Sequence, residues 1–132
     1  MGRSNKAFQG YSVAYEGPIY SSLYGDAPDH QVHSVRVTHP KHSDVGHLYW
    51  HPQTGEIKDL LVQPEHQGQG LATKMFQVAQ QTATTNNLPT PKHSSTRTRA
   101  GDAWARKVGG ALPPLKDGRF HHDDFEEFGD LH

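Results

Sequence analysis

Apolar positions along the chain change their spacing as it proceeds, and each change marks a different kind of element. From residue 30 the pattern is extended: Val32, Val35 and Val37 alternate with polar neighbours until the turn sequence His39-Pro40-Lys41-His42-Ser43-Asp44. A second extended run covers residues 46–51, with Leu48 and Trp50 on one face and His47, Tyr49 and His51 on the other, because successive strand side chains alternate. Pro52-Gln53-Thr54-Gly55 reads as a tight turn, and residues 56–62 form the next antiparallel strand, completing a three-stranded meander.

After Gln63-Pro64-Glu65 the period becomes helical. Leu71, Met75, Val78 and Thr82 make one stripe, with Ala72, Phe76, Ala79 and Ala83 beside it, so a helix runs from near Gln69 to Thr84 or Thr85. Asn86-Asn87-Leu88-Pro89 stops it. Residues 91–95 add a short strand, and Ala100, Trp104 and Val108 predict a second helix closed by Gly109-Gly110, with Trp104 as a core anchor.

The flanks read differently. Residues 1–29, rich in Tyr, Ser, Gly and Pro, form an irregular arm with one short strand near residues 11–15, and Gly17-Pro18 reads as a turn former. The core spans residues 30–112, and residues 113–132 form an acidic tail with aromatic beads at Phe125 and Phe128. The predicted class is α+β with an α/β-type mixed sheet: a central, mostly antiparallel sheet of about four to six strands and two main helices.

Composition narrows the chemistry. The 132 residues suit one domain with polar flanks, and only 33% are hydrophobic, so the core is small. Lys and Arg number 13 and Asp and Glu 14, a formal charge of −1, so no global field draws the chain to nucleic acid or acidic lipid. The absence of Cys excludes disulfides, thiolate nucleophiles and iron–sulfur chemistry. No run is long and apolar enough for a membrane span or signal region, which points to a cytoplasmic protein without a membrane partner. The 11 histidines would carry the formal charge from −1 to +10 if all were protonated. His39-x-x-His42 and His121-His122-Asp123-Asp124 lack a strong zinc spacing and sit in loops, so no metal site is assigned.

One segment concentrates the chemical signal. In Leu60-Leu61-Val62-Gln63-Pro64-Glu65-His66-Gln67-Gly68-Gln69-Gly70-Leu71-Ala72-Thr73 a strand ends, a glycine turn follows and an amphipathic helix begins at once. Glycines let backbone approach a ligand, and a helix start offers free N–H groups and a positive dipole end, so the element reads as an anion cradle. It is neither a P-loop, lacking Gly-Lys-Ser/Thr, nor a dinucleotide fingerprint, whose glycine spacing differs.

Gln67, Gly70 and Ala72 fill the pattern Gln/Arg-x-x-Gly-x-Gly/Ala, and the segment resembles the acyl-CoA pyrophosphate loop of the GNAT acetyltransferase superfamily over approximately residues 30–110. The resemblance implies a GNAT-like fold and an N-acyltransferase using acetyl-CoA or another acyl-CoA, in which an amine acceptor attacks the thioester directly. It also implies that amides of Gln67, Gly68, Gln69, Gly70, Leu71, Ala72 and Thr73 hold the pyrophosphate. The pantetheine arm would lie along Leu60, Leu61 and Val62. Glu56, on the same strand, stands where many relatives carry the carboxylate base; Asp59 falls on the opposite face unless a bulge intervenes. His47, Tyr49 and His51 would line the adjoining strand face.

The chain departs from the pattern where relatives place a tyrosine that protonates the departing thiolate, for Ala105 stands there; His93, Ser94 or Ser95 is the candidate replacement. Lys92, Arg97, Arg99, Arg106 and Lys107 form the most basic stretch, a face for the CoA 3′-phosphate or a nucleic-acid acceptor if not simply solvated. His93-Ser94 and Trp104-Ala105 give a softer resemblance to compact actinobacterial-phage members of the superfamily. That implies host cytoplasm, or alternatively a catalytically weak or inactive virion component assembling with itself or with virion proteins through the arm and tail.

Overall fold

The computed structural model describes residues 10–21, 23 and 31–121. The predicted residues 1–9 of the arm, His30 and the acidic tail from His122 onward, including its Phe beads and the His122-Asp123-Asp124 part of the histidine motif, lie outside the described residues. The chain divides into two compact units, Met1–Pro91 and Lys92–His132.

The first unit is a four-stranded sheet in the order β1-β2-β3-β4, built from β1 (Ser12–Tyr20), β2 (Gln31–His39), β3 (His42–Trp50) and β4 (Ile57–Val62). Every neighbouring pair is antiparallel. Helix α1 (Leu71–Asn86) follows the sheet, and α2 (Arg99–Val108) belongs to the second unit. The fold is therefore the expected GNAT-like α+β class, with four strands and two main helices. Among the described residues no helix is long and apolar enough to cross a membrane.

The principal difference from the sequence reading is β1, nine residues long where one short strand near residues 11–15 was expected. Gly17-Pro18 is not a turn. Gly17 has φ +90° and marks a bulge at which Glu16 is skipped: Tyr15 pairs with Val35 and Gly17 with Ser34. Proline is admissible beside it because β1 is an edge strand with one side outside the ladder. The β2–β3 turn is likewise tighter than the run 39–44, since Asp44 already lies in β3. Residues 91–95 form no strand, only a one-residue bridge at Lys92; Ser94 Oγ instead accepts the Thr96 N–H at 2.9 Å and turns the chain.

The core of the first unit follows the alternation. His33, Val35 and Val37 of β2 pair with Trp50, Leu48 and Gly46 of β3, putting one face of each strand on the same side. Val35, Val37, Leu48 and Trp50 are fully buried, as are Met75 and Ala79 of α1, with Leu71 and Ala83 nearly so. Burial of this apolar stripe drives α1 onto the sheet far more than helix propensity does. Asn87, at φ +59°, ends the helix in the left-handed conformation, and the chain passes through Pro89, whose carbonyl accepts the Trp50 indole N–H at 2.9 Å.

In the second unit Thr98 caps α2 by accepting the Gly101 N–H at 3.0 Å, and Gly109 closes it at φ +82°. The predicted Ala100–Trp104–Val108 stripe is not the buried face: Ala100 is exposed and Trp104 and Val108 are half-buried, whereas Asp102 and Ala105 are buried. Asp102 is the cause. Its carboxylate accepts from Arg97 Nε at 2.9 Å and Arg106 Nε at 2.8 Å, and the bond from Arg106, with those from Arg97, holds its carboxyl below the usual carboxylate range.

Two stability outcomes follow from the core. Trp50→Ala removes the largest fully buried side chain and should cost about 3–5 kcal/mol in urea unfolding. His33, buried against Trp50 with ring centroids 5.2 Å apart and hydrogen-bonded through Nδ1 to Tyr15 Oη at 2.9 Å, has its pKa lowered by burial. Its neutral form is the folded form, so its contribution is whole above the unfolded value of about 6.5 and is lost as pH falls toward the lowered folded value. Stability measured from about pH 7.5 down to about pH 5 should therefore fall less in His33→Asn than in the parent chain.

Candidate functional site

The glycine segment is held by the strand that precedes it. Gln63 N–H donates to the Val45 carbonyl at 2.8 Å, prolonging the β3–β4 ladder, and a 3-10 turn at Pro64–His66 then reverses the chain. Gln67 Nε2 reaches back to the Val62 carbonyl at 2.9 Å. Gln69 Nε2 donates to Tyr11 Oη at 3.1 Å, and Tyr11 Oη is hydrogen-bonded to His66 Nδ1 at 2.7 Å. Both glutamine side chains thus brace the loop from behind.

Gly68 and Gly70 have φ +81° and +82°, values side-chain-bearing residues rarely adopt, and a Cβ built on Gly68 meets nothing within 4 Å. Gly70 is the N-cap of α1, where no side chain caps the helix and the first turn holds no acid. The first helical bond of this turn runs from Lys74 N–H to the Gly70 carbonyl, so the amides before Lys74 point out of the helix start. Leu71 is 2% exposed, while Ala72 and Thr73 are half-buried. Leu60, Leu61 and Val62 are half-buried along β4. An extended ligand on β4 ending in an anion at this loop fits the donors present.

The sheet face opposite Trp50 carries the titratable groups. Pairing runs His47 with Leu61 and Tyr49 with Asp59, but Trp50 with Ile57, so β4 has one extra residue at Lys58. That bulge overturns the strict alternation and places Glu56 on the same side as Asp59. Asp59 Oδ2 accepts from His47 Nε2 at 2.6 Å, and the His47 ring stacks on Tyr49 at 4.1 Å and 4°. Glu56 lies 3.8 Å from Lys58 Nζ and takes no part in the His47 contact. Beside this pair Arg36 donates to Glu16 at 2.9 Å and to Asp44 at 2.7 Å; although burial lowers its pKa, these acids and Tyr49 leave it raised overall.

His51 leaves this face. It lies beyond β3, where Nδ1 accepts the N–H groups of Gln53 at 3.0 Å and Thr54 at 3.1 Å and so builds the 52–55 turn. His39 and His42, whose spacing carried no metal assignment, gather with His66 and Tyr11 in a closed circuit of rings, with centroids 4.9–5.6 Å apart. Among the described residues no three His, Asp or Glu side chains are grouped to hold a metal ion. The circuit was missed because its members are scattered through the sequence.

His93 lies in the second unit, Glu56 in the first. His93 is buried, donates Nε2–H to the Gly109 carbonyl at 2.8 Å and meets Trp104 edge-on at 5.5 Å, so it ties the end of α2 to the segment before it. Ser94 is buried too, and its carbonyl accepts from Arg97. The basic stretch is not one free face, since Arg97 and Arg106 are spent on Asp102 and Arg99 sits 4.8 Å over the Phe120 ring. Ala105, at the relatives' tyrosine position, is 2% exposed.

Comparison with known proteins bears on the first unit and the start of the second. No curated protein and no solved structure matches the chain. Residues 35–97 match the model of the acetyltransferase (GNAT) family, a span that holds β3, β4, the glycine loop and α1 entire. Over that span the chain is similar to the GNAT superfamily, whose general chemistry is acyl transfer and whose usual donor is acetyl-CoA or another acyl-CoA.

Proposed function

We propose that the protein is an acyl-CoA-dependent N-acyltransferase that passes an acetyl or other acyl group to an amine. The observation that carries the reading is the loop at residues 67–73, in which two left-handed glycines lead into an uncapped, acid-free helix start directly after β4. A pyrophosphate at that start would meet backbone donors and the positive end of the helix dipole, without the cost of moving a side chain.

The chain's own part is to hold and to deprotonate. Amides of Gly68, Gln69, Gly70, Leu71, Ala72 and Thr73 would take the phosphates, whereas the expected Gln67 N–H is held by the Pro64 carbonyl at 3.3 Å; backbone along Leu60, Leu61 and Val62 would take the extended arm. The thioester supplies the acyl carbon. An acceptor amine is protonated at neutral pH and must lose a proton before its lone pair is available, so the acyl carbon needs a base beside it. Glu56 and Asp59, brought to one face by the bulge, are the carboxylates at hand.

Isothermal titration with acetyl-CoA tests the reading: heat of binding below about 1 mM is expected, and its absence would sink the proposal. Gly70→Val forces a β-branched residue into φ +82°, a strain of about 1–2 kcal/mol for left-handed backbone. It should abolish that binding while the far-ultraviolet circular dichroism stays that of the parent.

A further inference from the structure

Resting on the acyltransferase reading, we propose that the base which deprotonates the acceptor amine is His47, with Asp59 as its positioning residue, rather than Glu56. His47 stands opposite Leu61 and Tyr49 opposite Asp59 in the regular part of the β3–β4 ladder, so His47 and Asp59 are diagonal neighbours on one face. The contact is 2.6 Å from Nε2 to Oδ2, the length of a charge-assisted bond, and the two side chains are 15% and 29% exposed. A carboxylate only accepts, so Nε2 carries the hydrogen and the neutral ring presents its lone pair at Nδ1. Among the described residues Nδ1 has no hydrogen-bond partner.

Stacking on Tyr49 fixes the remaining freedom of the ring, whose plane lies 4° from that of the tyrosine. A base oriented by a carboxylate on one nitrogen and offering the other is the arrangement that works near neutral pH. Glu56 sits where β4 begins, 3.8 Å from Lys58 Nζ. The groups facing His47 are Arg36 from β2, Tyr49 from β3 and Asp59 from β4, with Glu16, Asp44, Glu56 and Lys58 around them.

The step balances as follows. The ammonium of the acceptor gives one proton to Nδ1, its nitrogen forms the bond to the acyl carbon, and the carbon–sulfur bond breaks. The sulfur leaves with the electron pair and the proton lost from nitrogen in forming the amide, and the imidazolium returns its own proton to solvent.

Nitrogen-15 spectra of the free chain should show His47 as the Nε2–H tautomer above about pH 8, and Asp59→Asn should lose that bias. With acetyl-CoA as donor and n-butylamine as acceptor, His47→Gln should lower kcat at least about 100-fold at unchanged KM for acetyl-CoA, and imidazole should restore part of the rate to His47→Ala. Asp59→Asn should lower kcat and shift the rate profile with pH, again at unchanged KM. Parent-like melting curves check that the variants fold. An Nδ1–H tautomer, a parent-like rate in His47→Gln, or loss confined to Glu56→Gln would overturn the assignment. Acetyl-CoA bound without any thiol release would overturn it too while leaving the donor reading intact; no binding at all would overturn the donor reading.

Discussion

Much of this molecule depends on one residue too many in β4. Trp50 must pair with Ile57 to close the apolar face, and Tyr49 must pair with Asp59 to build the polar one; a regular ladder satisfies one and misplaces the other. The bulge at Lys58 reconciles them. Downstream of it Leu60 and Val62 stand opposite Leu48 and Gly46, so the strand delivers the glycine loop in register with the buried face. Core packing, the arrangement of titratable groups and the direction in which the chain enters α1 all trace to that local defect in the ladder.

The elements with a strong period were legible. Leu71, Met75, Phe76, Ala79 and Ala83 announce α1 because a helix must bury one stripe, and Leu48 and Trp50 announce the inward face of β3 for the corresponding reason. The strand β1 was not, because Gly17-Pro18 carries the local chemistry of a turn while its real setting, a bulge on an edge strand, is decided by the partner β2. The buried face of α2 escaped for an electrostatic reason: Asp102 is polar by composition and internal by pairing, and no periodicity scheme counts a carboxylate clasped by Arg97 and Arg106 as core.

The candidate site divides along the same line. The glycine loop could be read because backbone conformations that only glycine tolerates leave a mark in the sequence at Gly68 and Gly70. The His47–Asp59 contact could not, since it is a diagonal pair across two strands whose register neither strand announces. The bracing of the loop was equally hidden. Gln67 and Gln69 were read for their backbone amides alone, and the structure adds that their side chains point back, to the Val62 carbonyl and to Tyr11. With the brace made inside the protein, the loop is held in shape before a ligand arrives, and less of the binding free energy is lost to ordering it.

Pro18 carries a consequence of a different kind. An outermost strand offers a row of backbone groups to any extended chain that drifts past, and proteins that expose such a row tend to add strands from one another and aggregate. On β1 that row is broken in its middle: Glu16 contributes a charge at the bulge and Pro18 has no N–H to give. Pro18, half of the pair that disguised β1 as a turn, thus joins Glu16 in keeping this edge of the sheet from templating a neighbour, a safeguard of value to a chain with so small a core.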